Sequence, residues 1–107
     1  MKTIPMTSQI KDAIRNHPHY TEATKHVYCL ERVYDRPKST INSSGFSPED
    51  KQSALLALQD VDRYIWVDFM TSTKEPEALA GGGNEYCFII HPITFQLLQT
   101  HIGGWRA

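Results

Sequence analysis

The segment Tyr64–Met70 constrains the fold most, because six of its seven side chains are apolar and they occupy both alternating faces. A strand of this kind belongs in the interior of a sheet that is covered on both sides. A second β-rich segment, Glu85–His91, follows after a connection that contains Gly81-Gly82-Gly83. We therefore predict two antiparallel strands joined by a long loop over 71–84.

Three other segments have the spacing and end signals of helices. Apolar residues at helical spacing predict a first helix over 7–16. Ser47 is a good N-cap, and Pro48 suits the first helical position, so a second helix is predicted to begin there. Pro92 predicts the start of a last helix, which Gly103-Gly104 would end.

The segment 21–34 supports two interpretations. Its residues His26–Tyr34 are rich in β-formers, which favours a strand. Four apolar residues recur at helical spacing, which favours a helix: Ala23, Val27, Leu30 and Tyr34. We predict a helix here, and a strand-rich N-terminal half is the alternative.

These elements predict one small α+β domain over residues 1–107. It has about four helices and an antiparallel sheet of two or three strands. The order, three helices and then two strands and a helix, is winged-helix-like. Segments 36–46 and 71–84 are predicted to be flexible loops, because glycine, proline and small polar residues punctuate them. Residues 103–107 are predicted to be a tail.

Composition excludes several classes of protein. Of 107 residues, 40% are hydrophobic, so a packed core is feasible and a wholly disordered chain is not expected. The formal net charge of −1 disfavours a strongly basic nucleic-acid binder. Two cysteines, Cys29 and Cys87, are too few for a disulfide scaffold, and Met1–Met6 has no apolar signal region. We therefore expect a cytoplasmic protein with free thiols.

No spacing of ligand residues predicts a metal site. His17, His19, His26 and Cys29 lie within thirteen residues, and imidazole and thiolate suit zinc. Their spacing matches no paired-cysteine finger, however, and loop histidines and a core cysteine explain them more simply. We expect no metal and no cofactor.

The residues also predict no catalytic site, so we do not expect an enzyme. Cys87 and His91 could share a strand face, but four strand residues separate them by about 13 Å. That distance is too long for a nucleophile and its base. Gly81-Gly82-Gly83 leads into a predicted strand and lacks a following Lys-Ser/Thr pair, so it is not a phosphate loop.

Aromatic and arginine side chains indicate a protein-binding module that acts as an adaptor or inhibitor by steric occlusion. Tyrosine, tryptophan and arginine dominate interface hot spots. The small size suggests an accessory protein of the phage, mobile-element or toxin–immunity type. We expect the partner to be another protein, and a second copy of this chain is a further candidate. We expect no role at a membrane. The candidate partner-binding residues are Tyr34, Arg36, Lys38, Lys74, Trp105 and Arg106.

The alternative function is a winged-helix-like regulator that binds DNA as a dimer. Residues 1–40 carry seven basic and four acidic side chains, which gives a net charge of +3 and a candidate DNA surface. The predicted helix that begins at Ser47-Pro48, the third in chain order, would be the recognition helix. It carries Glu49 and Asp50, whose carboxylates would repel phosphate, so nucleic-acid binding is the weaker hypothesis.

Overall fold

A computed structural model describes residues 2–26, 28–72 and 82–106. Its centre is a five-stranded antiparallel sheet, whose spatial order follows the chain. The strands are β1 (Lys2–Thr3), β2 (Tyr28–Pro37), β3 (Arg63–Ser72), β4 (Gly82–Ile90) and β5 (Leu97–Arg106). Such a meander needs only local connections, because each strand pairs with the next one along the chain.

In the part of the chain that the structure describes, three α-helices and one 3₁₀ helix cover the sheet on both faces. Their bounds are α1 (Ser8–Ile14), α2 (Pro18–Thr24), the 3₁₀ helix (Lys38–Ser43) and α3 (Pro48–Ala57). The predicted starts of α1 and α3 are confirmed, since Thr7 and Ser47 accept hydrogen bonds from the first-turn amides of Ile10 and Asp50. Among the described residues, no helix is long and apolar enough to cross a membrane.

Strand β3 separates two hydrophobic cores. Val67 and Phe69 point to the face that α1 and α2 cover, and both are buried. Tyr64 and Trp66 point to the opposite face, where Ile41 of the 3₁₀ helix and α3 pack on them. The doubly covered central strand that the sequence predicts is confirmed, because alternate side chains enter the two cores.

The predicted helix over 21–34 is wrong beyond Thr24. Residues Tyr28–Pro37 form β2, which pairs with β3 along its whole length. Of the apolar residues at helical spacing, Ala23 is buried but Leu30 is 57% exposed. The ladder to β3 and the β-forming residues outweigh the local helical pattern.

The predicted helix after Pro92 is also wrong. The chain makes a turn in which the amide of Phe95 donates to the carbonyl of His91, and Phe95 has a positive φ of 59°. Residues Leu97–Arg106 then form β5, which includes Gly103 and Gly104 rather than ending before them. Pairing with β4 supplies the backbone hydrogen bonds that an isolated helix would have made internally.

The fold class is therefore α+β, but with a five-stranded sheet instead of two or three strands. The winged-helix-like order is wrong, because β2 lies between α2 and α3. The segment 36–46 contains the end of β2 and the 3₁₀ helix, and its Phe46 is buried. The predicted tail is wrong over 103–106, which is part of β5, and residue 107 lies outside the described residues. Residues 73–81 of the predicted loop also lie outside the described residues.

Candidate functional site

A polar cleft opens on the face of the sheet that carries α3, between the strands and the end of the 3₁₀ helix. Its volume is about 350 Å³. Strands β2, β3 and β4 supply its floor, and the 3₁₀ helix and the residues after it supply one wall. The lining residues are Arg32, Arg36, Thr40, Ser43, Ser44, Gly45, Trp66, Asp68, Glu85 and Cys87.

An ion pair between a buried aspartate and a partly exposed arginine forms the centre of the floor. The β2–β3 register places Arg32 opposite Asp68, and the guanidinium donates Nε to Oδ1 at 2.8 Å and Nη2 to Oδ2 at 3.0 Å. Arg32 Nη2 also donates to Glu85 Oε2 at 2.9 Å. The hydrogen bond to Asp68 is the main reason that the pKa of Arg32 is raised. Asp68 is only 1% exposed, so it needs this partner to stay buried as an anion.

The same carboxylate fixes an aromatic side chain. Trp66 lies two residues before Asp68, so both point to the same face of β3. Its Nε1 donates to Asp68 Oδ2 at 2.8 Å. The ring of Phe46 packs edge-on against Trp66 at 6.0 Å between centroids. The indole is therefore held at its polar end and at its ring.

A second arginine stacks on this indole. Arg32, Tyr34 and Arg36 alternate along β2, so they share one face of the strand. The guanidinium carbon of Arg36 lies 4.2 Å from the Trp66 ring centroid and 5.2 Å from that of Tyr34. Both distances are within the range of cation–π attraction.

Hydroxyl groups form the wall of the cleft. Thr40 Oγ1 donates to the carbonyl of Pro37 at 2.7 Å, so it must accept from the hydroxyl of Tyr64 at 2.8 Å. Ser43 and Ser44 donate to the carbonyls three residues earlier. Each of these hydroxyls therefore donates its hydrogen bond to a backbone carbonyl, and its oxygen still has a lone pair that can accept a hydrogen bond.

The cleft contains one thiol, and its environment keeps it unreactive. Cys87 is 2% exposed. Burial is the main cause that raises its pKa, and the nearby carboxylates of Glu85 and Asp68 raise it further. A thiol attacks as the thiolate, so this cysteine stays protonated and weakly nucleophilic at neutral pH.

His91, the residue considered as a base for Cys87, serves the turn before β5. Its Nδ1 accepts from the amides of Ile93 and Thr94, so Nε2 carries the proton and donates to Asp60 Oδ1 at 3.1 Å. This hydrogen bond is the main reason that the pKa of Asp60 is lowered. Both ring nitrogens are thus engaged in local structure.

The histidines near α2 are also engaged locally. His17 Nδ1 accepts from the amide of His19, and the two rings lie 4.6 Å apart. His26 Nδ1 lies 3.1 Å from the carbonyl of Glu22, and Cys29 is exposed on β2. Within 2–26, 28–72 and 82–106, no three His, Cys, Asp or Glu side chains come together to hold a metal. The expectation of no metal site stays a prediction.

The structure brings together only some of the predicted partner-binding residues. Tyr34 and Arg36 meet at Trp66. Lys38 instead donates Nζ to the carbonyl of Leu58 at 3.1 Å. Trp105 and Arg106 pair with Gly83 and Gly82 at the other end of the sheet, and Lys74 lies outside the described residues.

Sequence reasoning missed Arg32, Asp68 and Glu85 as site residues. The signal for Arg32 is its position on the same strand face as Tyr34 and Arg36, which becomes visible only when 28–37 is interpreted as a strand. Asp68 and Glu85 lie on the neighbouring strands β3 and β4, so only the sheet pairing brings them to Arg32. Comparisons of this chain with protein-family models, with curated proteins and with solved structures find no match.

Proposed function

We propose that this protein is a non-enzymatic binding module, and that a partner protein inserts an acidic side chain into the cleft. The observation that carries this proposal is the guanidinium of Arg36, stacked on Trp66 and Tyr34 at the cleft. The bound protein would be blocked by steric occlusion, so the module acts as an inhibitor or adaptor.

The first support is that the anchor residues are ordered before any partner arrives. Asp68 holds the indole of Trp66, and the indole in turn supports Arg36. A side chain that is already fixed loses little conformational entropy on binding. Arginine and tryptophan in a rigid setting are typical of interface hot spots.

The second support is the chemistry of the lining. A guanidinium binds a carboxylate through two parallel N–H donors, which makes arginine well suited to recognise an acidic side chain. A volume of about 350 Å³ is at the small end of ligand pockets, and one carboxylate side chain fits it. Glu85 already accepts a hydrogen bond from Arg32, so it competes less with the acidic side chain of the partner for Arg36.

A chemical step finds little support in the same lining. Asp68 accepts hydrogen bonds from Arg32 and Trp66, and the Cys87 thiol has a raised pKa. A general base or nucleophile needs an available lone pair at working pH. We therefore propose binding without turnover, in the cytoplasm, where both cysteines stay reduced.

Apart from the net charge of +3 over residues 1–40, nothing in the described part of the chain favours the DNA-binding alternative. Its supposed recognition helix, α3, begins with the acidic residues Glu49 and Asp50. Its winged-helix-like element order is not the one that the chain adopts. DNA binding stays a less favoured hypothesis, and light-scattering mass with a short random duplex at low salt tests it.

The experiment compares three immobilised proteins: wild type, Arg36→Gln and Arg15→Gln. The third is the matched control, because Arg15 is the C-cap residue directly after α1 and its side chain is 58% exposed. Each protein is exposed to lysate of the source cells, and retained proteins are quantified by mass spectrometry. A binding curve is then measured for each protein that wild type retains.

We expect at least one retained protein whose affinity falls about 10-fold or more with Arg36→Gln, because a charge-assisted pair contributes ~1.5–3 kcal/mol. Arg15→Gln should bind like wild type. Equal binding by all three proteins, or no protein specifically retained by wild type, would overturn the proposal.

A further inference from the structure

The two edges of the sheet differ in how they are protected. At one edge, β1 pairs with only part of β2, and the uncovered part of β2 carries Glu31 and Arg32. Charged residues on an edge strand discourage pairing with another chain. At the other edge lies β5, whose only described strand neighbour is β4.

Strand β5 lacks the usual protective features of an edge. It is ten residues long, and Leu97–Trp105 contains no lysine, arginine, aspartate, glutamate or proline. Ile102 is 45% exposed on this strand. Natural proteins rarely leave a long uncharged edge open to solvent, since it is a template for pairing with another strand.

We propose that β5 pairs antiparallel with β5 of a second copy of this chain, about a two-fold axis at Ile102. The two sheets would then join into one continuous ten-stranded sheet. The pairing would extend over Gln99–Trp105 of each copy. This inference concerns a surface other than the cleft, so it does not depend on the proposed function.

The sequence of β5 is complementary to itself in this register. Ile102 of one copy faces Ile102 of the other, so two exposed apolar side chains cover each other. His101 faces Gly103, and Thr100 faces Gly104. Glycine within a strand often marks a close approach of another backbone, and an aromatic ring across from it covers the gap.

Charge also favours a second copy as the occupant. The segment 97–105 contains no lysine, arginine, aspartate or glutamate, so no like charges face each other across the proposed axis. A two-fold contact uses the same patch twice, which this neutral strand permits. Arg36 on β2 lies three strands away from β5, about 14 Å at ordinary strand spacing, so the cleft stays open.

The test measures molar mass by light scattering or sedimentation from ~1 to ~100 µM, since pairing of one edge is expected to give micromolar affinity. The variants are Ile102→Lys and Ile102→Glu. The matched control is Ile93→Lys, because Ile93 is 69% exposed in the turn before β5. Circular dichroism checks that each variant is folded.

We expect wild type and Ile93→Lys to reach twice the 12.2 kDa chain mass. Ile102→Lys and Ile102→Glu alone should dimerise about 10-fold more weakly, because like charges would face each other. An equimolar mixture of the two should restore the dimer. A wild-type monomer at ~100 µM, or a dimer that both variants leave unchanged, would overturn the proposal.

A second measurement needs no variant. Hydrogen exchange at the backbone amides of 99–105 in the wild-type protein should slow as protein concentration rises, because pairing protects the outer amides. Exchange that is independent of concentration over the same range would contradict pairing at this edge.

Discussion

Trp66 donates its indole N–H to the carboxylate of Asp68, its neighbour two residues along the same strand, at 2.8 Å. The carboxylate simultaneously accepts two hydrogen bonds from Arg32 on β2. One buried anion thus fixes both an aromatic ring and a cation in the cleft. A network in which each polar group has a partner is rigid, and the loss of one member leaves the others unsatisfied.

The first prediction concerns the loss of the cation. Arg32→Met leaves Asp68 buried without its counter-ion, and removal of one partner from a buried pair costs several kcal/mol. The side chain of Arg32 is 34% exposed, so the pair is only partly buried and we expect about 3 kcal/mol, the lower end of that range. Urea denaturation monitored by tryptophan fluorescence measures the free energy of unfolding.

The control is the same substitution at an exposed ion pair. Arg63 donates Nε to Asp35 Oδ1 at 2.7 Å, with side chains 46% and 34% exposed. Arg63→Met should cost at most about 1 kcal/mol, because exposed pairs are solvated and screened. Similar costs for the two variants would mean that burial of Asp68 does not matter to stability.

The elements that the sequence predicts correctly are those whose signals are local. Ser47 and Pro48 define the start of α3 by their own cap geometry. Strand β3 is recognisable because its apolar side chains fill both faces. These signals need no knowledge of what the segment packs against.

The missed strands depend on distant partners. The segment 28–37 has both helical and β patterns, and pairing with β3 decides between them. The segment 97–106 contains two glycines that resemble a helix end, and pairing with β4 makes them strand residues. Asp68 becomes a site residue only because Arg32, 36 positions earlier, lies opposite it. Single-sequence periodicity carries no information about such contacts.

A second prediction tests the hydrogen bond behind the cleft wall. Tyr64 is fully buried, and its hydroxyl donates to Thr40 at 2.8 Å. Tyr64→Phe removes this bond, but Thr40 keeps its bond to the carbonyl of Pro37. We expect a loss of about 1 kcal/mol of unfolding free energy. The double variant Thr40→Val/Tyr64→Phe tests the coupling between the two hydroxyls. If its loss of unfolding free energy equals the sum of the losses in the two single variants, the hydroxyls are not coupled.

A third prediction separates the two thiols by reactivity. Cys29 is exposed and Cys87 is 2% exposed with a raised pKa. Iodoacetamide at pH 8 should therefore label only Cys29 in the folded protein and both cysteines in urea. Burial and Glu31 also raise the pKa of Cys29, so its labelling should be slower than that of a free thiol.

Mass spectrometry of digested protein locates the labels, and Cys29→Ser provides the control that should take no label when folded. Fast labelling of Cys87 in the native state would show that the cleft floor opens readily. It would also remove one argument against a nucleophilic role for this thiol.

The last prediction concerns the pH dependence of stability. Burial, and then the neighbouring His17, lower the pKa of His19 from its ordinary 6.5. Its Nδ1 is buried without a hydrogen-bond partner among the described residues, so the fold favours the neutral ring. The unfolded chain then binds a proton near pH 6.5 that the folded chain takes up only at lower pH. The contribution of His19 to stability therefore falls as the pH drops from 6.5 toward the folded-state pKa.

We measure the urea midpoint of unfolding as a function of pH for wild type and His19→Gln. The midpoint of His19→Gln should fall less than that of wild type between pH 7 and pH 5. Above pH 7, the two midpoints should change with pH in the same way. The side chain of His19 is not the helix cap, because His17 accepts from the backbone amide of residue 19. The substitution thus leaves the start of α2 intact. Parallel curves for the two proteins across the whole range would show that the His19 ring titrates equally in the folded and unfolded states.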